Sequence, residues 1–312
     1  MKEFGVYQYV EGEPMTERDK KEVGSKFWNK GKWDNFVAPF LPKDCDGMTF
    51  VDMGCNAGLF LEQAEKMGFG RVIGVDSDKD AMQKAISYRD RIGGKYELRH
   101  QMMEKVIDEL PVADYTVLAN SHYYFLVGDW LEYLDKLKLK TRYCIIVTAD
   151  KRAQVSMASS DVGGIHSYFK DWRELTTDID PPTLEGDPHP RQLWGLCFES
   201  MVIERTEMAT LDNGNHVQDN FYEELDEGKH YRDTKYYRII RKYRLVDRAN
   251  KWSESRLKKY MQDRVNLYED VKKNGLLNPI IVNSNNRVVD GNHRFQIMRH
   301  LGNEYIPVRR VT

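Results

Sequence analysis

The sequence predicts an α/β protein: a doubly wound, mainly parallel sheet, followed by a small α+β domain. From residue 48 to about 150, short β-branched runs alternate with helical stretches. Such alternation produces right-handed βαβ units with helices on both faces of a sheet. Near residue 151 the alternation stops, and residues 248–312 carry strands and helices of their own. We therefore expect one domain over 1–247 and a second over 248–312.

Composition is that of a globular protein. Of the 312 residues, 41% are hydrophobic and 31% are charged, which is typical of soluble domains. No apolar run approaches the roughly 20 residues that span a bilayer, and the first residues lack the apolar core of a secretory signal. These features predict a cytoplasmic protein without a membrane partner. A net charge of −2 disfavours a non-specific coat on duplex DNA.

The four cysteines are scattered, and no two form a CxxC pair. They are Cys45, Cys55, Cys144 and Cys197. This spacing argues against a disulfide framework and against a zinc site. We expect reduced, mostly buried thiols and no bound metal in the first domain.

The elements of the first domain follow in order after a helical lead-in that stops at Pro42. The predicted strands are 48–54, 71–76, 96–100, 114–120 and 142–150, and the helices between them are 58–67, 79–91, 103–109 and 128–139. Residues 151–195 are rich in turn formers, which predicts an excursion over the substrate. The runs 195–208 and 234–247 read as two longer strands that form an antiparallel edge.

The second domain begins with a helix. Ser253 is its predicted N-cap and Gly275 its C′ residue. Its apolar positions recur with helical spacing; they are Leu257, Tyr260, Met261, Val265, Tyr268 and Val271. The predicted elements after it are strands at 279–283 and 288–291, a helix over 292–301 and a last strand over 306–311.

A glycine turn, "VDMGCNAG", follows the first strand. Its Asp52 disfavours a pyrophosphate, and the turn reads GxNxG where a dinucleotide fingerprint needs GxGxxG. Asp76 ends the second strand, where an acid can bind a ribose diol. A nucleoside without phosphates fits both acids. The alternative is a plain strand-to-helix turn of another doubly wound fold.

Together, "VDMGCNAG" and "GVDSD" resemble the first two motifs of class I S-adenosylmethionine-dependent methyltransferases. The resemblance covers roughly residues 25–245 and implies a Rossmann-like fold. It implies that Asp76, with Ser77 beside it, holds the ribose, and that Asp52 orients the amino group or the turn. The residues implied to line the methionine moiety are Gly54, Cys55, Asn56, Ala57 and Gly58. Met102 stands near the place of the acid that often meets adenine, a departure that puts the adenine contact in doubt.

The fourth strand ends in "LANSHYYF", at the cofactor crevice. Enzymes that methylate exocyclic amines of bases commonly have an Asn/Asp-Pro-Pro-aromatic motif there, and this chain lacks both prolines. Asn120 is placed at the crevice. His122 is the candidate catalytic base for a hydroxyl or carboxyl acceptor. Its alternative role is a hydrogen bond to a loop carbonyl.

A second glycine turn, "VVDGNHRF", lies near the end of the chain. With "GLLNPIIVN" before it and "IPV" after it, this turn resembles the ParB/sulfiredoxin-like domain over residues 253–312, with Asn278 where that family commonly has glutamine. A helix N-terminus presents free N–H groups to phosphate. The predicted phosphate-binding residues are Asp290, Gly291, Asn292, His293 and Arg294. The resemblance implies ATP or CTP, with magnesium; Asp290 orients a metal or hydroxyl, or only caps the turn.

These features predict methyl transfer from S-adenosylmethionine to a hydroxyl, carboxyl or amine of a small molecule. In this hypothesis the second domain binds a nucleoside triphosphate, and phosphate transfer by it stays open. The alternative is a methyltransferase that modifies tRNA or phage-type DNA, with the ParB-like domain as a regulatory or nucleic-acid-binding module. A third alternative is a sensor that binds the cofactor without turnover. The sequence leaves the acceptor and the oligomeric state open.

Overall fold

A computed structural model provides the structure of the protein. It describes residues 9–10, 12, 29–121, 130–148, 169, 172–175, 194–200, 202–211, 220–247 and 252–311. The chain divides into two compact units, Met1–Val202 and Ile203–Thr312.

The described part of the first unit contains a seven-stranded sheet with the order β3-β2-β1-β4-β5-β7-β6. Its strands are β1 (Thr49–Met53), β2 (Arg71–Asp76), β3 (Glu97–His100), β4 (Ala113–Ala119), β5 (Thr141–Thr148), β6 (Trp172–Leu175) and β7 (Trp194–Ser200). Strands β1 to β5 run parallel, whereas β7 is antiparallel to both β5 and β6. The predicted doubly wound, mainly parallel sheet is confirmed.

Helices connect the parallel strands, as the sequence predicted. They are α2 (Leu59–Lys66), α3 (Lys79–Ile92), α4 (Met103–Val106) and α5 (Trp130–Lys138), whereas α1 (Asn29–Phe36) precedes β1. The strand order reverses at β1, which has β2 on one side and β4 on the other. In an open α/β sheet, ligands bind at the carboxyl ends of the strands beside such a reversal.

Both faces of this sheet are covered by apolar side chains. Val51 and Met53 of β1 join a cluster with Phe198, and Phe50 joins the opposite cluster with Trp33. Alternate residues of a strand point to opposite faces, so a strand covered on both faces is apolar at nearly every position. Asp52 is the exception in β1, since it is buried although its side chain is a carboxyl group.

The described part of the second unit contains a four-stranded sheet with the order β10-β9-β11-β8. Its strands are β8 (Glu204–Glu207), β9 (Ile280–Asn283), β10 (Val288–Asp290) and β11 (Tyr305–Val311), and its helices are α6 (Phe221–Asp226), α7 (Lys235–Lys242), α8 (Glu254–Asn274) and α9 (Asn292–His300). Strand β11 is parallel to β9 and antiparallel to β8. An α+β architecture is present.

The units divide at Val202 and Ile203, whereas the sequence placed the domain boundary between residues 247 and 248. The difference arises because β8 pairs with the last strand, β11, far away in the chain. An ion pair between Glu204 and Arg310, at 3.1 Å, links the same two strands. Long-range strand pairing of this kind leaves little local signal in the sequence.

Two strand predictions are wrong. The run 195–208 is divided between β7 and β8, which belong to different sheets. The run 234–247 is helical, with α7 continued by a π-helix over Tyr243–Asp247. The side chain of Thr234 caps α7 by accepting from the Tyr237 N–H at 3.2 Å. Aromatic and β-branched residues favour strands in general, but a buried N-cap supports a helix here.

The predicted excursion 151–195 contributes a sheet strand, β6, and the partner of β6 is β7. Most of its other residues lie outside the described part of the chain. By contrast, α8 matches its prediction closely. Ser253 Oγ accepts from the Arg256 N–H at 3.2 Å, and Gly275 follows the last turn with a φ of 78°.

All four cysteines are free and buried, as predicted. No helix in the described part of the chain has both the length and the apolar character needed to cross a membrane.

Candidate active site and a second cleft

The first glycine turn is attached to the end of β2. The Gly54 and Cys55 N–H groups both donate to the Val75 carbonyl oxygen, at 2.7 and 3.0 Å, and the Gly58 N–H donates to the Cys55 carbonyl oxygen at 2.9 Å. These bonds fix a compact turn between β1 and α2.

Glycine is required at position 54 for two reasons. Its φ is 86°, and a Cβ atom there would lie 2.5 Å from Cβ of Ser121. Ser121 is buried just beyond β4, and its hydroxyl donates to the Met53 carbonyl oxygen. The end of β4 is therefore packed directly on the turn. Gly58, with a φ of 87°, is the N-cap of α2.

Asp52 is 1% exposed, and neither of its carboxyl oxygens has a hydrogen-bond partner among the described residues. Burial, with a further contribution from the charge of Asp76, raises the pKa of Asp52 to about 8. The group is therefore mainly protonated at neutral pH. A buried polar group without a partner is unfavourable, and a cation placed beside it would favour the ionised form.

Asp76 is held by the backbone of the turns around it. Its Oδ2 accepts from the Asn56 N–H, and its Oδ1 accepts from the Asp78 N–H, both at 2.8 Å. Burial raises the pKa of Asp76, and these N–H bonds oppose the rise. A carboxylate oxygen accepts more than one hydrogen bond, so both oxygens keep capacity for a ribose diol. The adjoining Ser77 is exposed.

The remaining predicted cofactor residues surround this turn or end neighbouring strands. Cys55 and Ala57 are fully buried, and Ala57 packs against Val10. Asn120 adjoins Ser121 and has a φ of 56°. Met102 follows β3 and is 45% exposed, leaving apolar surface for a planar group.

The candidate base His122 lies outside the described residues. Gly74 of β2 was not singled out from the sequence. A Cβ atom on it would lie 2.8 Å from the sulfur of Cys55, so glycine there lets the turn approach β2. A glycine inside a strand pattern is the signal that could have identified it.

The arrangement fits S-adenosylmethionine. The cradle between β1 and α2 is built from backbone that tolerates no Cβ at Gly54. The buried carboxyl group of Asp52, which has no hydrogen-bond partner among the described residues, lies two residues before Gly54, and a cationic ammonium group beside it would satisfy it. The second acid, Asp76, bonds the Asn56 N–H of the same turn.

The second unit contains a cleft of about 640 Å³, within the usual range for small-molecule sites. Residues 290–294 form one wall, and residues of α7, the π-helix and α8 form the others. Its lining residues outside 290–294 are Tyr236, Ile239, Ile240, Tyr243, Arg244, Tyr260, Arg264, Leu267 and Val289. The second glycine turn thus borders a cavity.

Gly291 precedes α9 with a φ of 87°. Arg294 is already engaged by its surroundings. Its Nη1 donates to the carbonyl oxygens of Asn278 and Pro279, at 3.0 and 3.3 Å, and its Nη2 donates to Asp290 Oδ2 at 3.2 Å. A bidentate contact with phosphate, as expected from the sequence, would have to replace some of these bonds.

His293 has its Nδ1 atom buried without a hydrogen-bond partner among the described residues. Burial, followed by the nearby charge of Arg264, lowers the pKa of His293 to about 3. The imidazole is therefore neutral at pH 7. Asn292 Oδ1 is likewise buried without a partner.

Sequence reasoning did not single out the two other arginines of the cleft. The Arg264 guanidinium lies 4.5 Å from the ring centroid of Tyr260, and that of Arg244 lies 4.5 Å from that of Trp252. An available signal was the spacing of Tyr260 and Arg264, four residues apart on α8, which makes them neighbours on the helix surface. Within the described residues no group of three or more metal-binding side chains occurs.

Comparisons with known proteins show a similarity to methyltransferases within the first unit. A family model described as "Methyltransferase domain" matches residues 27–181. A comparison with curated protein sequences finds no match. The match to residues 27–181 supports a methyltransferase domain in this part of the chain, and the mainly parallel sheet with flanking helices in its described residues is consistent with a Rossmann-like fold; methyltransferase domains of this kind use S-adenosylmethionine.

Three solved structures illustrate the likeness. The bifunctional kinase-methyltransferase WbdD matches at 18% identity over 64% of this chain and 44% of its own, with a TM-score of 0.45. A SAM dependent methyltransferase from Aquifex aeolicus matches at 18% identity over 55% and 94%, with a TM-score of 0.40. Precorrin-6y C5,15-methyltransferase from Geobacter metallireducens GS-15 matches at 11% over 55% and 89%, also at 0.40. The chain spans less than half the length of WbdD.

Proposed function

We propose that this protein transfers the methyl group of S-adenosylmethionine to a hydroxyl, carboxyl or amine of a small molecule. The observation that carries the proposal is the buried carboxyl group of Asp52, unpartnered among the described residues, at the base of a glycine cradle. A pyrophosphate would be repelled there, whereas the ammonium group of a methionine moiety would be attracted.

The bound cofactor supplies a methyl group activated on a sulfonium. The residues of the chain have the task of alignment, because in-line geometry is the main requirement of such a transfer. Asp52 faces the ammonium group, and Asp76 accepts the ribose hydroxyls while its bond to Asn56 keeps the turn in place. His122 is the proposed base that removes the proton of a hydroxyl acceptor.

The second unit, in this proposal, binds a nucleoside triphosphate, ATP or CTP with magnesium. Support comes from the cleft beside Gly291, whose lining contains three guanidinium groups and one carboxylate. A helix N-terminus, that of α9, borders the same cleft and favours an anion. Phosphate transfer by this unit stays a proposal that rests on the turn at Asp290.

The cofactor assignment is tested by calorimetric titration of S-adenosylmethionine into the wild type and Asp76→Ala. We expect at least a tenfold loss of affinity, because the ribose loses its acceptor. Asp80→Ala, which removes an exposed acid from the next helix, is the matched control and should bind normally. If Asp76→Ala binds within about threefold of the wild type, roughly 0.6 kcal/mol, the ribose assignment is wrong. Mass spectrometry of ligands retained through purification would then show what the cradle holds.

A nucleic acid is the second candidate acceptor, and helix α7 favours it. Four of its cationic residues are exposed: Lys235, Arg238, Arg241 and Lys242. Filter binding of tRNA and duplex DNA across a range of salt concentrations separates the two candidates, since phosphate contacts give a steep salt dependence. A flat response, or no retention at low salt, leaves the small-molecule acceptor.

A further inference from the structure

We infer that Arg264, on α8, is the principal phosphate-binding cation of the cleft in the second unit, and that Arg294 positions the turn. The inferred ligand is a nucleoside phosphate whose base lies against the tyrosine and aliphatic walls. This inference rests on the proposed nucleotide binding and assigns its contacts to residues outside the glycine turn.

The guanidinium group of Arg264 is more available to a ligand than that of Arg294. Arg294 donates to two backbone carbonyls and to Asp290, which together occupy both of its terminal nitrogens. Arg264 has no carboxylate partner among the described residues, and its Nε is buried without a hydrogen-bond partner. A buried donor without a partner is unfavourable, and a phosphate oxygen would satisfy it with a charge-assisted bond.

Arg264 is also held in a defined orientation. Its guanidinium lies over the Tyr260 ring, and the Tyr260 hydroxyl lies 3.1 Å from that of Tyr236 on α7. An arginine stacked on an aromatic ring loses little further freedom when it binds an anion. The cation is thus pre-organised by two helices of the cleft.

The cleft also has exposed apolar side chains that suit the apolar part of the ligand. Ile239 and Tyr243 are each 40% exposed, and Val289 is 50% exposed, and all three line the cleft. Apolar surface next to two guanidinium groups suits a molecule with a planar ring at one end and an anion at the other. Free phosphate would leave this surface uncovered, whereas a nucleotide base would cover it.

His293 lines the same cleft, and its ring centroid lies 6.3 Å from that of Tyr260. Its Nδ1 is buried without a partner among the described residues. The neutral imidazole can donate to a phosphate oxygen through this atom or accept from a ligand hydroxyl. His293 therefore provides a spectroscopic probe at the inferred phosphate position.

The experiment is calorimetric titration of ATP and CTP into the full chain, with adenosine and inorganic triphosphate as partial ligands. Arg264→Gln should weaken nucleotide binding at least tenfold and leave S-adenosylmethionine binding within twofold of the wild type. Arg256→Gln is the matched control on the same helix, because its guanidinium stacks on Trp252 outside the cleft lining. Arg294→Gln should weaken binding less than Arg264→Gln does.

The possible outcomes distinguish a failure of the Arg264 assignment from a failure of the proposed nucleotide binding. If the wild type binds neither nucleotide, nucleotide binding fails and the inference falls with it. If the wild type binds and Arg264→Gln binds within threefold, only the assignment to Arg264 is overturned. Should Arg264→Gln fail to fold, ¹⁵N-histidine spectra of the wild type decide: bound ATP must shift the His293 signals, and unchanged signals would place the ligand elsewhere.

Discussion

The two glycine turns share backbone geometry and differ in charge. Each has a glycine with a φ of 87° before a helix, Gly58 in the first unit and Gly291 in the second. Below the first turn, Asp52 is 1% exposed and unpartnered among the described residues. Beside the second, the Asp290 side chain is 67% exposed and pairs with Arg294.

This difference shows that a glycine turn alone does not specify its ligand. Free N–H groups at a helix start favour an anion in both units. In the first unit the buried acid would oppose that preference and favour a cation, in keeping with the proposed zwitterionic methionine moiety. In the second unit the acid is neutralised by Arg294, and the cleft keeps a cationic excess. We therefore expect the ligand to depend on the acid beside each turn and on whether that acid already has a cationic partner.

Gly54→Ala is expected to have the largest effect. A Cβ atom would meet Ser121 Cβ at 2.5 Å while the residue keeps a φ of 86°. Overpacking and a left-handed backbone together should lower the free energy of unfolding by about 4 kcal/mol, measured by urea denaturation. Gly68→Ala is the control, since Gly68 has a φ of 89° and no atom within 4 Å of the added Cβ. Equal losses in both variants would show that the contact with Ser121 does not matter.

Asp52→Asn should have the next largest effect, and its sign depends on pH. The pKa of Asp52 is about 8 in the fold, above the ordinary value of 3.8. Between these pH values the unfolded chain releases the proton and the fold retains it, so wild-type stability falls as pH rises. The asparagine variant lacks this loss, and its stability relative to the wild type should increase between pH 5 and 7 by roughly 2 to 3 kcal/mol.

Urea denaturation at both pH values measures the difference in free energy of unfolding between Asp52→Asn and the wild type, with Asp80→Asn as the exposed control. The same variant should bind S-adenosylmethionine at least tenfold more weakly at pH 8.5, because no carboxylate can form. A pH-independent difference in stability would mean that Asp52 is ionised in the fold, and the contrast between the two turns would disappear.

Most of the first unit could be predicted from sequence. Strands buried on both faces appear as apolar runs, and the helices between them carry an amphipathic pattern, so local signals suffice from β1 to β5. The same holds for the two acids of the candidate site, since Asp76 ends β2 and Asp52 lies one residue before the end of the adjacent parallel strand β1. What the sequence could not show was that Asp52 lacks a hydrogen-bond partner among the described residues.

The second unit was harder to predict, for two physical reasons. Strand β8 depends on pairing with β11, about one hundred residues later, as its ion pair between Glu204 and Arg310 shows. The run 234–247 has strand-like composition, yet Thr234 caps it as a helix. That helix supplies Tyr236 to the cleft. Because this helix was predicted as a strand, the sequence did not indicate the walls of the cleft in the second unit, although it did indicate the glycine turn at Gly291.

Gly291→Ala tests the second turn in the way that Gly54→Ala tests the first. An added Cβ would lie 2.9 Å from Cδ1 of Ile280, the end of a flexible side chain that can move. We expect a smaller loss of stability, about 2 kcal/mol, mainly from the left-handed backbone. Gly302→Ala, with a φ of 77° and open space around the added Cβ, is the control. A loss as large as that of Gly54→Ala would show that the second turn is packed as tightly as the first.

Arg294→Gln is expected to have the smallest effect on stability, about 1 kcal/mol. The guanidinium holds the carbonyls of Asn278 and Pro279 near the start of β9, and glutamine can replace only part of that. Hydrogen exchange of peptides that cover β9 and β10 should therefore become faster. Arg287→Gln, whose exposed side chain makes no hydrogen bond in the described chain, should leave exchange unchanged. If exchange stays slow in Arg294→Gln while nucleotide affinity falls tenfold, Arg294 contacts the nucleotide directly. The second turn would then bind phosphate through Arg294, as the sequence predicts.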